Sequence, residues 1–140
     1  MVCSLPKGKE KMEINQKQKK ALLYAQQGEL DAVLMYRSLA KVAKKQQDRE
    51  AFLRLASEEG RHAAVFYGLT GETLKPKSAQ AKALVILYKL LGRKRLYPHI
   101  AKGEYAAVKK YEALISAFPE VKSVQADEKR HGDEVRALLD

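Results

Sequence analysis

The sequence predicts an all-α fold: a four-helix bundle with a long crossover that carries a short extra helix. Three observations predict it. Apolar residues recur three and four apart over nearly the whole chain, the spacing of a helix with one buried face. The four prolines, Pro6, Pro76, Pro98 and Pro119, punctuate those stretches at wide intervals. No segment shows the period-two alternation of a half-buried strand. At 140 residues the chain is one domain by size, long enough to bury a core without disulfide or metal staples.

The first helix is expected to start between Lys11 and Gln16 and run to about Lys45. Its seam reads Leu22, Ala25, Glu29, Ala32/Val33, Tyr36, Leu39/Ala40, Ala43. Residues 1–15 read as a flexible basic tail and 16–140 as the bundle domain. Lys44–Gln47 breaks the pattern, and Asp48 suits an N-cap. The second helix then runs from about Arg49 to Tyr67, with the seam Phe52, Leu55/Ala56, Glu59, His62/Ala63, Phe66. Gly68 and Gly71 end it. Thr70–Lys77 reads as a loop, and a shorter helix over about Ser78–Leu91 lies on the crossover. Gly92–Arg95 reads as a basic turn. Pro98 suits the first turn of the next helix, which runs to about Ala117 with the seam Ile100/Ala101, Glu104, Ala107/Val108, Tyr111, Leu114/Ile115. Pro119 suits the first turn of the last helix, with the seam Val121, Val124, Glu128, His131, Val135, Leu138.

The chain repeats itself. Gly28-Glu29 with Ala32, Val33 and Tyr36 recurs as Gly103-Glu104 with Ala107, Val108 and Tyr111. Glu58-Glu59-Gly60-Arg61-His62 recurs as Asp127-Glu128-Lys129-Arg130-His131. Two helical hairpins thus read as copies of one unit.

Composition excludes several classes. Cys3 is the one cysteine, so neither an intrachain disulfide nor a four-cysteine metal site can form in this sequence. It reads as an exposed thiol in the tail. No apolar stretch follows Lys7, Lys9 and Lys11, so no secretory signal is expected, and the expected location is cytoplasmic. The 27 Lys and Arg outnumber 17 Asp and Glu, a net +10. Such a balance raises nucleic acid, an anionic surface or an acidic partner. Aromatics are few and no base-reading motif is visible, which disfavours nucleic acid.

The chemistry sits in the seams. Buried glutamates are rare unless paired or metal-bound. Yet Glu29, Glu59, Glu104 and Glu128 each interrupt an apolar seam, and His62 and His131 follow Glu59 and Glu128 by three residues, on the same helix face. Glu29 and Glu59 are equidistant from the first predicted turn, and Glu104 and Glu128 from the second. Each hairpin therefore levels its own pair. Packing the seams inward gathers four carboxylates and two imidazoles, which two divalent cations would neutralise. One Glu from each of two helices and Glu-x-x-His from each of the other two is the di-iron or di-manganese carboxylate pattern of four-helix bundles. The mixed oxygen and nitrogen set suits iron, manganese or zinc better than calcium or magnesium. The plain alternative is a bundle whose histidines are satisfied core residues.

Further candidates surround this set. The Tyr36 and Tyr111 hydroxyls could bond a ligand carboxylate, or the rings could serve core packing alone. Glu58 and Asp127 could each accept the free N–H of the histidine on the other hairpin, or stand as exposed charges. Arg61 and Arg130 read as ion-pair partners beside the site, and His99 as a helix-start residue.

Over residues 20–140 these features resemble the ferritin-like superfamily, most closely its rubrerythrin-type branch. The segment Leu90-Leu91-Gly92-Arg93 to Lys102-Gly103-Glu104, then Phe118-Pro119-Glu120 to His131, is similar to rubrerythrin-like domains attached to vacuolar-type iron transporters. The resemblance implies a ferritin-like four-helix bundle holding two non-haem irons. It implies that Glu59 and Glu128 bridge them, that Glu29 and His62 complete one, and that Glu104 and His131 complete the other. Ala107 departs from the pattern, which places a further glutamate there. A rubredoxin domain, usual in rubrerythrins, cannot be built with one cysteine. No membrane domain is read in the chain, so a transporter-fused form is not expected.

Three functions are therefore expected in turn: oxidation of ferrous iron or reduction of peroxide or oxygen at the buried site, with an external electron donor where needed; iron binding or storage without turnover; and a basic binding module with structural metals. A homodimer or larger homo-oligomer is expected, because the crossover helix is apolar round much of its girth. Leu84, Leu87 and Leu91 would bury a dimer or bundle-packing surface. Membrane contact aided by Arg93, Lys94 and Arg95 is the alternative.

Overall fold

The computed structural model describes residues 13–140, so Cys3 and most of the expected basic tail lie outside the described residues. Five helices follow in order: α1 Gln16–Val42, α2 Gln46–Thr70, α3 Ala79–Leu91, α4 Arg93–Ile115 and α5 Val121–Ala137. There is no strand among the described residues. α1 packs on α2 and α4 on α5 as two antiparallel hairpins, and α3 lies across α1 on the crossover.

Local chemistry sets most boundaries. Asn15 caps α1 through a reciprocal pair: its side chain accepts from the Gln18 backbone at 2.8 Å, and the Gln18 side chain accepts from the Asn15 backbone at 3.1 Å. α1 ends at Val42, three residues before the expected Lys45. The Arg49 guanidinium takes the carbonyls of Ala43 and Lys44 at 2.9 and 3.1 Å, fixing a sharp turn there. α2 runs through Gly68 and stops at Gly71, whose φ of 69° suits glycine. The crossover loop is strapped to α1. Gln26 donates to the Glu72 carbonyl at 2.7 Å, Gln27 donates to the Lys75 carbonyl at 2.9 Å, and Asp31 accepts from the Lys77 backbone at 2.7 Å.

Three expectations are corrected. Asp48 is not an N-cap. It lies in the first turn of α2, fully buried, and its carboxylate takes the Arg93 guanidinium at 2.9 and 3.0 Å and the Tyr97 hydroxyl at 2.6 Å. The expected basic turn Gly92–Arg95 shrinks to Gly92. Arg93 begins α4 and turns inward to Asp48 and to the Leu138 carbonyl. Pro98 lies in the second turn of α4, not the first. Its ring and Lys94, four residues back, both face solvent, where water can take the carbonyl left unpaired.

The core is in two parts. One joins Tyr36, Leu39, Phe52, Leu55, Leu96 and Tyr97. Phe52 meets Tyr97 edge-on at 5.3 Å and stacks on Tyr36 at 5.8 Å. The other part joins Leu22, Phe66, Tyr111, Leu114, Val121 and Val124. Truncating Phe52 or Phe66 would cost about 3–5 kcal/mol. A band of charge lies between the two apolar layers. On α3, Leu84 is buried and Leu87 packs against the first part, whereas Leu91 is 44% exposed beside Ile86 and Leu90. Leu91 thus lies outside the buried core.

Candidate metal centre

The charged band consists of Glu29, Glu59, His62, Glu104, Glu128 and His131, all buried. α1 supplies Glu29, α2 supplies Glu59 and His62, α4 supplies Glu104, and α5 supplies Glu128 and His131. The helical three-residue spacing puts each Glu-x-x-His pair on one face. The two imidazoles stack with their centroids 5.3 Å apart.

The arrangement has twofold character. His62 Nδ1 lies 3.5 Å from Glu29, 3.5 Å from Glu59 and 3.0 Å from Glu128. His131 Nδ1 lies 2.8 Å from Glu59, 3.6 Å from Glu128 and 3.9 Å from Glu104. Glu59 and Glu128 therefore stand beside both histidines. Glu29 stands beside one and Glu104 beside the other. Glu59, His62, Glu128 and His131 each present one ligand atom, and those four atoms lie within 4.8 Å of one another.

Outward partners fix four of the six side chains. His62 Nε2 meets Asp127 at 2.9 Å, and His131 Nε2 meets Glu58 at 2.8 Å. Each carboxylate comes from the hairpin opposite its histidine. With Nε2 carrying the proton toward these carboxylates, Nδ1 turns its lone pair inward. Arg130 spans both partners, at 3.0 Å from Glu58 and 3.1 Å from Asp127, and Arg61 reaches Glu58 at 3.5 Å. The tyrosines also cross between hairpins: Tyr36 donates to Glu104 and Tyr111 to Glu29. Sequence reasoning gave the hydroxyls a carboxylate without saying which. The repeat makes the two pairings equivalent. Each tyrosine is seven residues past its glutamate, so antiparallel α1 and α4 that level one cross pair level the other. His99 is exposed and is not one of the six.

The electrostatics are those of an anionic pocket short of positive charge. Burial, then the neighbouring Glu29, pushes the Glu59 carboxyl well above its usual range. Burial and Glu128 do the same to Glu104. Burial, with Glu29 and Glu59 beside it, raises Glu128 to about 8 against the pull of His62. Burial opposes charge on His62, but the facing carboxylates of Glu128, Glu29 and Glu59 outweigh it and raise its pKa. Glu58 and Asp127 go the other way. Burial is overcome by Arg130 and His131 at Glu58, and by His62 and Arg130 at Asp127, and both stay ionised below the usual range.

The donor set fits metal ions. Glu59 Oε2, His62 Nδ1 and Glu128 Oε1 are buried without a hydrogen-bond partner. His62 Nδ1 and Glu128 Oε1 lie 3.0 Å apart without the alignment of a hydrogen bond, so each keeps capacity for a further partner. Four carboxylates match the charge of two divalent ions, and the nitrogen–oxygen mix suits a transition metal.

The family model described as Rubrerythrin matches residues 20–139. The chain belongs to the rubrerythrin family. The match takes in all six buried side chains and both hairpins, and it agrees with the all-helical, ferritin-like architecture. The family binds iron, and the buried cluster of this rubrerythrin-family chain fits a di-metal site. Neither the curated proteins nor the solved structures gave a match. No helix among the described residues is long and apolar enough to cross a membrane.

Proposed function

We propose that this chain holds two iron ions and works as an oxidoreductase of ferroxidase or peroxidase type. The observation that carries the reading is the sharing of Glu59 and Glu128 by both histidines. In it, Glu59 and Glu128 would be shared by the two ions, Glu29 and His62 would complete the holding of one, and Glu104 and His131 of the other. Two ferrous ions bound there would supply the two electrons that peroxide reduction needs. Manganese or zinc would satisfy the same donors.

The chain's own residues hold that chemistry in place. Tyr36 and Tyr111 pin the non-bridging carboxylates. Glu58 and Asp127 hold the imidazole tautomer that presents Nδ1. The two apolar layers cover the cluster at either end of the bundle. Setting the four site glutamates aside leaves 13 acidic side chains against 27 basic ones, or +14 for the loaded protein with neutral histidines. An acidic electron donor or an anionic surface would dock on such a face.

The test is ferrous oxidation by iron-loaded protein, with peroxide and with oxygen in separate runs, against E59A/E128A. The expected result is turnover in the native chain and loss to the background rate in the variant. Equal rates would refute the reading. Iron accumulating to many ions per chain would favour storage instead.

A further inference from the structure

α1 and α4 face each other across a groove of about 1070 Å³ that opens at the surface and reaches Glu29, Glu59, Glu104 and Glu128. Most of its lining is apolar, and its size is that of a small-molecule site. The α1 wall is a stripe of small residues, Ala21, Ala25, Gly28 and Ala32, and the α4 wall carries Gly103 and Ala107.

The two glycines are informative. Glycine inside a helix costs about 1 kcal/mol against alanine. Neither Gly28 nor Gly103 adopts a positive φ, so the backbone does not require them. A Cβ at either position would meet nothing within 4 Å, so no close helix contact requires them either. What remains is the space itself. Both copies of the repeat put glycine directly before a buried glutamate, and both glycines line the groove.

The groove is polarised along its length. Lys17, Lys20 and Lys110 stand at one end, with Lys110 over the ring of the exposed Tyr24. Met35, Leu84 and Ile100 make an apolar floor at the other end, where Asp31, Lys77 and His99 also line the groove. From Lys20 to Met35 is 15 residues of α1, or about 22 Å at the helical rise. That is the length of an extended long acyl chain. Lys20 is about 13 Å from Glu29 along α1, beyond the ~8 Å screening length at physiological salt, while Lys110, over Tyr24, stands nearer. An anionic head could sit at Lys20 without strong repulsion from the cluster.

We propose that this groove binds a free long-chain fatty acid, its carboxylate at Lys17, Lys20 and Lys110 and its chain laid over the carboxylate cluster toward Met35 and Leu84. Charge favours this occupant over a second copy. Another chain of net +10 would bring its own lysines against these. The inference concerns the groove walls and does not depend on the redox reading.

The test uses palmitate, with hexadecanol as the uncharged comparison, and isothermal titration of the zinc-loaded full chain. G28L/G103L fills the groove, and leucine favours helix over glycine, so the fold is kept. Circular dichroism and zinc content verify that. K17E/K20E/K110E reverses the head site. The expected results are at least tenfold weaker palmitate binding in either variant, and loss of hexadecanol binding in the leucine variant alone. Unchanged palmitate affinity in the leucine variant would overturn the proposal. So would a native dimer in sedimentation that the two leucines dissociate, because the groove would then belong to a second copy.

Discussion

Replacing Arg93 with Met removes the guanidinium that pairs with Asp48 while keeping the length and most of the apolar stem. Asp48 is fully buried, and Arg93 retains 18% of its side-chain exposure. Breaking a buried ion pair from one side costs about 3–5 kcal/mol, because the remaining charge stays desolvated. Two features favour the lower end. The Tyr97 hydroxyl still donates to Asp48 at 2.6 Å, and the rim left by Arg93 admits water. The Leu138 carbonyl also loses its Arg93 donor. The expected loss is therefore about 3 kcal/mol, a large share of the 5–15 kcal/mol typical of a domain. At roughly 3–5 °C per kcal/mol for a chain of this size, Tm falls by roughly 9–15 °C. Urea unfolding of zinc-loaded protein gives the free energy directly, and a thermal scan gives Tm. Removing all three polar groups together, D48L/R93M/Y97F, restores most of the loss, because no charge or hydroxyl is then stranded. An R93M loss under 1 kcal/mol would refute the reasoning, since Asp48 would then be solvated in solution.

Two further outcomes concern the site. E58Q and D127N each weaken the outward hold on one histidine and should lower metal affinity about 10- to 100-fold, read by competition with a chelator, with little change in the metal-free Tm. The metal-free fold should lose stability as pH rises from 5 to 8. Glu59, Glu104 and Glu128, the last at about 8, hold protons that the unfolded chain has released above 4.5, so the folded state binds more protons across that window. His62, raised above 6.5, adds to the same slope. Metal loading displaces those protons. The metal-free Tm should fall by several degrees over the window and the loaded Tm should not, as a scan at several pH values will show.

The helices and the inward band were legible because both are local. A glutamate in an apolar seam, and a histidine three residues on, are visible within two turns of helix. The level spacing from each turn followed from hairpin geometry alone. The repeat then doubled the signal. What escaped was set between hairpins. Asp48 reads as an N-cap from its neighbours, and its partners Arg93 and Tyr97 lie 45 and 49 residues away. Arg93 reads as surface charge for the same reason. The tyrosine pairings depend on the antiparallel register of α1 and α4, which no local pattern states. The groove was out of reach because it is a space between walls, and Gly28 and Gly103 look like weak points in a helix until the opposite wall is placed.

Anaerobic titration with ferrous iron separates the bridging from the terminal roles. If Glu59 and Glu128 are shared ligands, the native chain binds two ions. E29A then keeps about one tight ion, and E59A keeps none, because both ions lose a ligand at once. Two ions bound equally tightly by native chain and E59A would contradict the shared-carboxylate centre, as would a single ion per native chain.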